Sequence, residues 1–300
     1  MYCTKYVYTM FFVAMFVVVP TVFSMESRKP EEVNLFERLS KDVLTGSVAG
    51  FAEGFTGVPF SYFKNMLQQG AEWKHLSLDP RLFYRGFPVN AFCMVPTTAL
   101  QVAVDKALET TMPSNDSVWA IMRALTAGAV SAVTSTPTEM LVLHQQNQGT
   151  SLAVTARELV ARGSLSSLWR GGMPKAFRDA GFAAGFLALY PRVKEEVQAA
   201  TGSDTAAAFG AAITAGTITA FVTHPFDTIS TCMQADPDKQ KVAGVLDAVG
   251  EAYKHGGLKG FYRGLIPRTT RVALALCVMG EVKEELSNLL NKTERVDEGN

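Results

Sequence analysis

Thr223-His-Pro-Phe-Asp-Thr-Ile-Ser-Thr-Cys-Met-Gln234, followed downstream by Gly260-Phe-Tyr-Arg-Gly-Leu-Ile-Pro-Arg268, is the stretch that decides the fold. It contains a proline, a glutamine nine residues on, and an aromatic-Arg-Gly triplet: Pro225, Gln234 and Tyr262-Arg263-Gly264. The same order occurs twice earlier, at Pro59, Gln68 and Tyr84-Arg85-Gly86, and at Pro137, Gln146 and Trp169-Arg170-Gly171. The triplet glycines lie 85 residues (171 − 86) and 93 residues (264 − 171) apart, so the chain divides into three homologous units of nearly equal length. A single active site rarely requires such symmetry, whereas a path along a threefold axis does.

The solvent for these units is a membrane. Apolar residues make up 48% of the chain. Glu53 is the one charge between Val43 and Phe60, Arg123 the one charge between Trp119 and Pro137, and Thr205 to Phe226 carries none. The stretches after each triplet, such as Phe87 to Val104 and Ala180 to Tyr190, are apolar but shorter or weaker. Twenty-eight basic residues balance 28 acidic ones, which gives no field for nucleic acid. Cys3, Cys93, Cys232 and Cys277 have no metal-ligand spacing and read as small core residues.

Within each unit, small residues precede the proline at spacing four: Gly46, Gly50 and Gly54; Ala124, Gly128 and Ala132; Ala212, Gly216 and Ala220. Such a stripe lets helices approach closely in lipid. The prolines Pro59, Pro137 and Pro225 then sit inside helices that continue to the glutamines, so each is expected to kink its helix. A helix from Phe36 to Gln68 would be roughly 50 Å long and must tilt.

These residues resemble the mitochondrial carrier family, whose repeat reads Pro-x-Asp/Glu-x-x-Lys/Arg, then glutamine, then aromatic-Lys/Arg-Gly. The resemblance covers about Phe36 to Leu290. It implies an all-α membrane protein: six tilted transmembrane helices in three tandem repeats about a pseudo-threefold axis, with short matrix helices, here Val154 to Ala161 and Val245 to Tyr253. The first unit departs from this, because only 27 residues separate Pro59 from Gly86, and its matrix helix is expected to be shortened or missing. Basic residues concentrate in the loops that this topology puts in the matrix, in keeping with the positive-inside rule. The repeats are expected over 36–112, 113–201 and 202–291, with an N-terminal segment at 25–35 and a tail at 292–300. Residues 1–24, with an apolar run before Met25, read as a leader or a gene-model extension.

The family resemblance also implies a matrix gate of three ion pairs, each acid of one unit facing the base of the next. Here the acid positions are Ser61, Glu139 and Asp227, and the base positions Lys64, Val142 and Ser230. Asp227 should therefore meet Lys64, while Glu139 faces Ser230 and Ser61 faces Val142. Gln68, Gln146 and Gln234 occupy the positions that brace such a ring. On the opposite face Tyr190-Pro-Arg-Val-Lys194 keeps the aromatic and base of the family's second motif without its acid, and Asp105 and Glu281 or Glu284 are candidate partners in the other units. Transfer of the family's substrate contacts, seven and eight residues beyond each triplet glycine, gives Cys93 with Met94, Arg178 with Asp179, and Arg271 with Val272. Charges at membrane depth are functional candidates by default. Arginine matches a carboxylate bidentately, so Arg178 and Arg271 suit anionic groups and Asp179 suits an amino group.

The implied function is alternating-access transport of a small carboxylate, preferably an amino acid, by a monomeric, multi-pass carrier of the mitochondrial inner membrane. Its partners would be the small-molecule substrate, the bilayer, and cardiolipin at the matrix helix ends, with no nucleic acid, cofactor or metal. The alternative is a carrier-derived structural or assembly subunit without transport. An enzyme is disfavoured, since no nucleophile-base constellation, metal motif or phosphate loop occurs, and His224 beside Pro225 reads as packing.

Overall fold

The computed structural model describes residues 30–109, 117–163 and 165–278, and these contain helices and no strand. They form three helix pairs. The first is α1, Pro30–Gln68, and α2, Phe87–Glu109. The second begins with α3, Ser117–Gln148, and the linker helix α4, Leu152–Gly163. Its partner is α5, Gly172–Ala184, continued through a π-helical turn at Gly185–Leu189 into α6, Tyr190–Thr201. The third is α7, Asp204–Ala235, the linker helix α8, Val245–Lys254, and α9, described over 265–278.

Helix α1 is described from Pro30, six residues before Phe36. Residues 80–109, 118–148 and 204–235 are each long and apolar enough to cross a membrane. The first of these, with a mean hydropathy of 1.4, corrects the weak reading of Phe87 to Val104. The expected leader at 1–24, the junction at 112–113, the tail at 292–300, Cys3, Glu281 and Glu284 lie outside the described residues. Where the other units carry a linker helix, the first has a short turn at Trp73–His75 and a single helical turn at Pro80–Phe83, capped by Asp79. Rings fill that space instead: Phe83 stands 5.2 Å from both Tyr62 and Phe63, and Trp73 stands 6.3 Å from Phe63.

Each part of the repeated motif has a packing task. Proline lacks the N–H that would bond the carbonyl four residues back, and in the second unit Trp169 Nε1 donates to that carbonyl, Val133 O, at 2.8 Å. In the other units the tyrosine packs on the ring at the same position, Tyr84 on Phe55 at 5.5 Å and Tyr262 on Phe221 at 5.0 Å. The arginines reach the next unit. Arg170 donates to Met233 O and Val242 O, Arg263 donates to Ala71 O, and Arg85 lies against Gly149. These are carbonyls and turns at the ends of the neighbouring odd helices, where backbone acceptors lack intrahelical donors.

The triplet glycines have φ of 91°, 75° and 80° at Gly86, Gly171 and Gly264. A Cβ on each would meet the residue five past the next unit's proline: Val142 at 3.0 Å, Ser230 O at 2.9 Å, and Lys64 O at 3.1 Å. The small-residue stripe acts within a unit. A Cβ on Gly50 would stand 2.9 Å from Met94, on Gly128 2.8 Å from Ala180 Cα, and on Gly216 2.8 Å from Ala273 Cα. Pairs therefore close through the stripe, and units close through the triplet.

Gly202, with φ of 67° and nothing within 4 Å of an added Cβ, isolates the backbone contribution. Gly202→Ala should lower stability by roughly 1–2 kcal/mol from the left-handed conformation alone. Gly171→Ala adds a collision with Ser230 O, on the order of a further 1–3 kcal/mol. Thermal unfolding of the two purified variants in detergent should show the larger loss at Gly171; equal losses would remove the interunit contact from the account.

Candidate functional site: a buried charge network below a polar cavity

Asp227, two residues past Pro225 on α7, is fully buried and touched by all three units. From the first, Lys64 Nζ lies 2.9 Å from Oδ2 and Gln68 Nε2 donates to the same oxygen at 2.8 Å. From the second, Arg178 Nη1 donates to Oδ1 at 2.9 Å. From the third, Arg268 Nη1 also lies 2.9 Å from Oδ1. A carboxylate is tolerated at this depth only when it is paired and hydrogen-bonded.

Glu139, the corresponding residue past Pro137, does not face Ser230. Its carboxylate accepts from Arg178 Nη1 at 2.7 and 2.9 Å, and Lys175 Nζ is 2.8 Å away. Ser230 Oγ donates instead to Gly171 O at 3.0 Å. A serine hydroxyl carries no charge, and two bases of the second unit's own α5 supply the cation instead. At the third position Ser61 Oγ donates to Gly57 O within α1, and Val142 packs on Gly86, so no ion pair joins them. The glutamines diverge as well. Gln146 Nε2 donates to Phe83 O and its Oε1 accepts from Asn65, whereas Gln234 Nε2 is buried without a hydrogen-bond partner. Of the three, Gln68 alone touches an acid.

Beside this network is a cavity of about 160 Å³ lined from α1, α2, α3, α5 and α9. Cys93 is a buried free thiol on its α2 wall, and Met94 next to it packs on Gly50. Arg178 is heavily committed: Nε and Nη2 donate to Asp179 Oδ1 at 2.9 and 2.6 Å, while Nη1 serves Glu139 and Asp227. Asp179 also accepts from Ser135 Oγ at 2.7 Å. Arg271 Nη2 donates to Glu53 Oε1 at 2.7 Å, which links α9 to α1 and closes the ring of helices.

Glu53, Lys175 and Arg268 are the members that sequence reading missed. Lys175 and Arg268 both lie four residues past a triplet glycine, as does Asn90 in the first unit, so the repeat held the signal one turn before the positions singled out. Glu53 was visible as the lone charge of its span. At the far end, Asp105 does not stand free for a second ring, since Arg123 Nε on α3 lies 3.3 Å from it. His224 packs on Tyr262 and its Nε2 hydrogen-bonds with Arg263 O at 3.0 Å.

Three tandem helix pairs around a charged intramembrane cavity define a membrane solute carrier. Residues 114–200 and 202–294 match the family described as mitochondrial carrier protein, and the chain belongs to that family. It is similar to the mitochondrial substrate carrier family protein X of Dictyostelium discoideum, 24% identical over 259 residues, which covers 77% of this chain and 85% of that protein. The tricarboxylate transport protein of Saccharomyces cerevisiae is 25% identical over 283 residues, 82% of this chain and 94% of its own. The mitochondrial glycine transporter of Mus musculus is 31% identical over 141 residues, 45% of this chain and 43% of its own.

Asp227→Asn keeps the shape of the junction and removes its charge, leaving Lys64 and Arg268 buried without their carboxylate. The expected loss is about 3–5 kcal/mol. Asp227→Asn with Lys64→Met, which removes a pair rather than one partner, should be less destabilised than Asp227→Asn alone in detergent unfolding.

Proposed function

We propose that this chain moves a small carboxylate, preferably an amino acid, across the mitochondrial inner membrane by alternating access. The observation that carries the reading is Arg178, a cavity-lining cation whose guanidinium also bonds Glu139 and Asp227 from two different units. Opening the matrix end between the second and third units requires the bond to Asp227 to break. A substrate carboxylate that takes Arg178 from Asp227 compensates the loss at the moment it occurs, so binding and opening are linked through one side chain.

In this scheme Asp227 with Lys64 is the principal gate contact, and Gln68 braces it. Glu139, held by Lys175 and Arg178, is the second contact, while Ser61 and Ser230 leave the remaining positions uncharged. Asp179 receives an amino group, and Cys93 and Met94 set the width of the α2 wall. The size of the cavity and the similarity to a glycine transporter both favour a small solute. The transport unit comprises repeats over 36–112, 113–201 and 202–291, acts as a monomer, and holds cardiolipin phosphates in the cleft by Arg162, Arg170 and Lys239 beside α8.

The test is uptake by liposomes reconstituted with the full chain, offered labelled amino acids, oxo acids and dicarboxylates in turn. An amino acid should enter, and Arg178→Ala should reduce entry at least about tenfold, equivalent to ~1.4 kcal/mol. Arg178→Lys, which keeps the charge, controls for folding and should lie between the two. No uptake of any of these solutes, or unchanged uptake in Arg178→Ala, overturns the proposal.

A further inference from the structure

A second, smaller space of about 40 Å³ adjoins the main cavity, walled by Ser61, Lys64, Asn65, Val142, Gln146 and Gln234. A single water needs ~10–15 Å³, so this space takes one small ion or very few waters. The sequence makes the room. Ser61 stands two residues past Pro59, as Glu139 and Asp227 stand past Pro137 and Pro225, so the first unit brings no carboxylate to this level. Val142 stands five residues past Pro137, as Lys64 does past Pro59, and brings no cation. Two short, uncharged side chains thus leave a gap between the first and second units.

The wall of that gap has donors to spare. Gln234 is 2% exposed, and its Nε2 has no hydrogen-bond partner. Lys64 Nζ contacts the two oxygens of Asp227, at 2.9 and 3.2 Å, although an ammonium presents three donors. The acid on the wall, Glu139, is already engaged by Arg178 and Lys175. Charge points the same way. The bonded network sets four cations, Lys64, Lys175, Arg178 and Arg268, against three carboxylates, Glu139, Asp179 and Asp227. A buried surplus charge is costly, and a water would satisfy a donor without offsetting it.

We infer that this space is the seat of a small monatomic anion, chloride or its like, which stands in for the carboxylate that Ser61 does not supply. The anion accepts from Gln234 Nε2, faces the ammonium of Lys64, and balances the network. The donors select a negative charge, and the size of the space selects a single atom over a carboxylate or a sulfate. One position of the threefold frame is then held by an exchangeable ion, so the stability of the closed arrangement depends on the salt around it. The site takes its ion whatever solute the main cavity carries, and the inference stands apart from the choice of substrate.

Thermal unfolding of the full chain in detergent tests it, with sodium chloride replaced stepwise by sodium gluconate at constant ionic strength. Chloride should raise the unfolding temperature by roughly 2–4 °C, and the rise should saturate. Bromide should substitute for it. Ser61→Asp supplies the missing carboxylate covalently and should unfold at the same temperature in both salts. Gln234→Leu removes a donor and should raise the half-saturating chloride concentration at least about tenfold; it decides the matter if Ser61→Asp does not fold. Equal unfolding temperatures of the native protein in chloride and gluconate mean that water alone fills the space and overturn the inference. So does a chloride response that persists unchanged in either variant, which places the ion elsewhere.

Discussion

The structure depends on burying one carboxylate where three units meet. Asp227 receives Lys64 and Gln68 from the first unit, Arg178 from the second and Arg268 from the third. A buried charge that loses a partner is costly, whereas one that keeps its partners is nearly neutral. Removal of any one partner from such a junction would leave a buried charge unmatched.

Around that junction the threefold frame is maintained by backbone chemistry rather than charge. Proline vacates a carbonyl that Trp169 occupies in one unit, while in the others the tyrosine packs on the ring of the residue that carries it. Arginine satisfies carbonyls of the next unit, and glycine in the left-handed region lets that unit's backbone come close. Because these interactions use backbone atoms and a bare Cα, they tolerate any residue at the charge positions. This is why the scaffold can remain symmetric while Ser61, Val142 and Ser230 replace charged residues.

The second unit shows how charge relocates within such a scaffold. With Ser230 unable to reach Glu139, Lys175 and Arg178 on α5 pair with it, and Lys175 becomes fully buried. Lys175 and Arg178 also line the cavity, so the charge network and the cavity wall share side chains. The Glu53–Arg271 pair on the opposite wall is joined by one hydrogen bond.

The sequence by itself determined the repeat, the three odd helices through Pro59, Pro137 and Pro225, the close-packing stripes, and the missing linker helix of the first unit. These follow from local chemistry at recurring offsets: a missing N–H, a missing Cβ, a chain too short to form another helix. The meeting of Lys64 and Asp227 followed from the resemblance to the carrier family rather than from the residues alone. Only the tertiary structure decided the partners of Glu139, the burial of Lys175, the junction role of Arg268 and the union of Glu53 with Arg271. In those contacts a long, flexible side chain bridges helices far apart in the chain, and its direction depends on which neighbours leave a charge unmet.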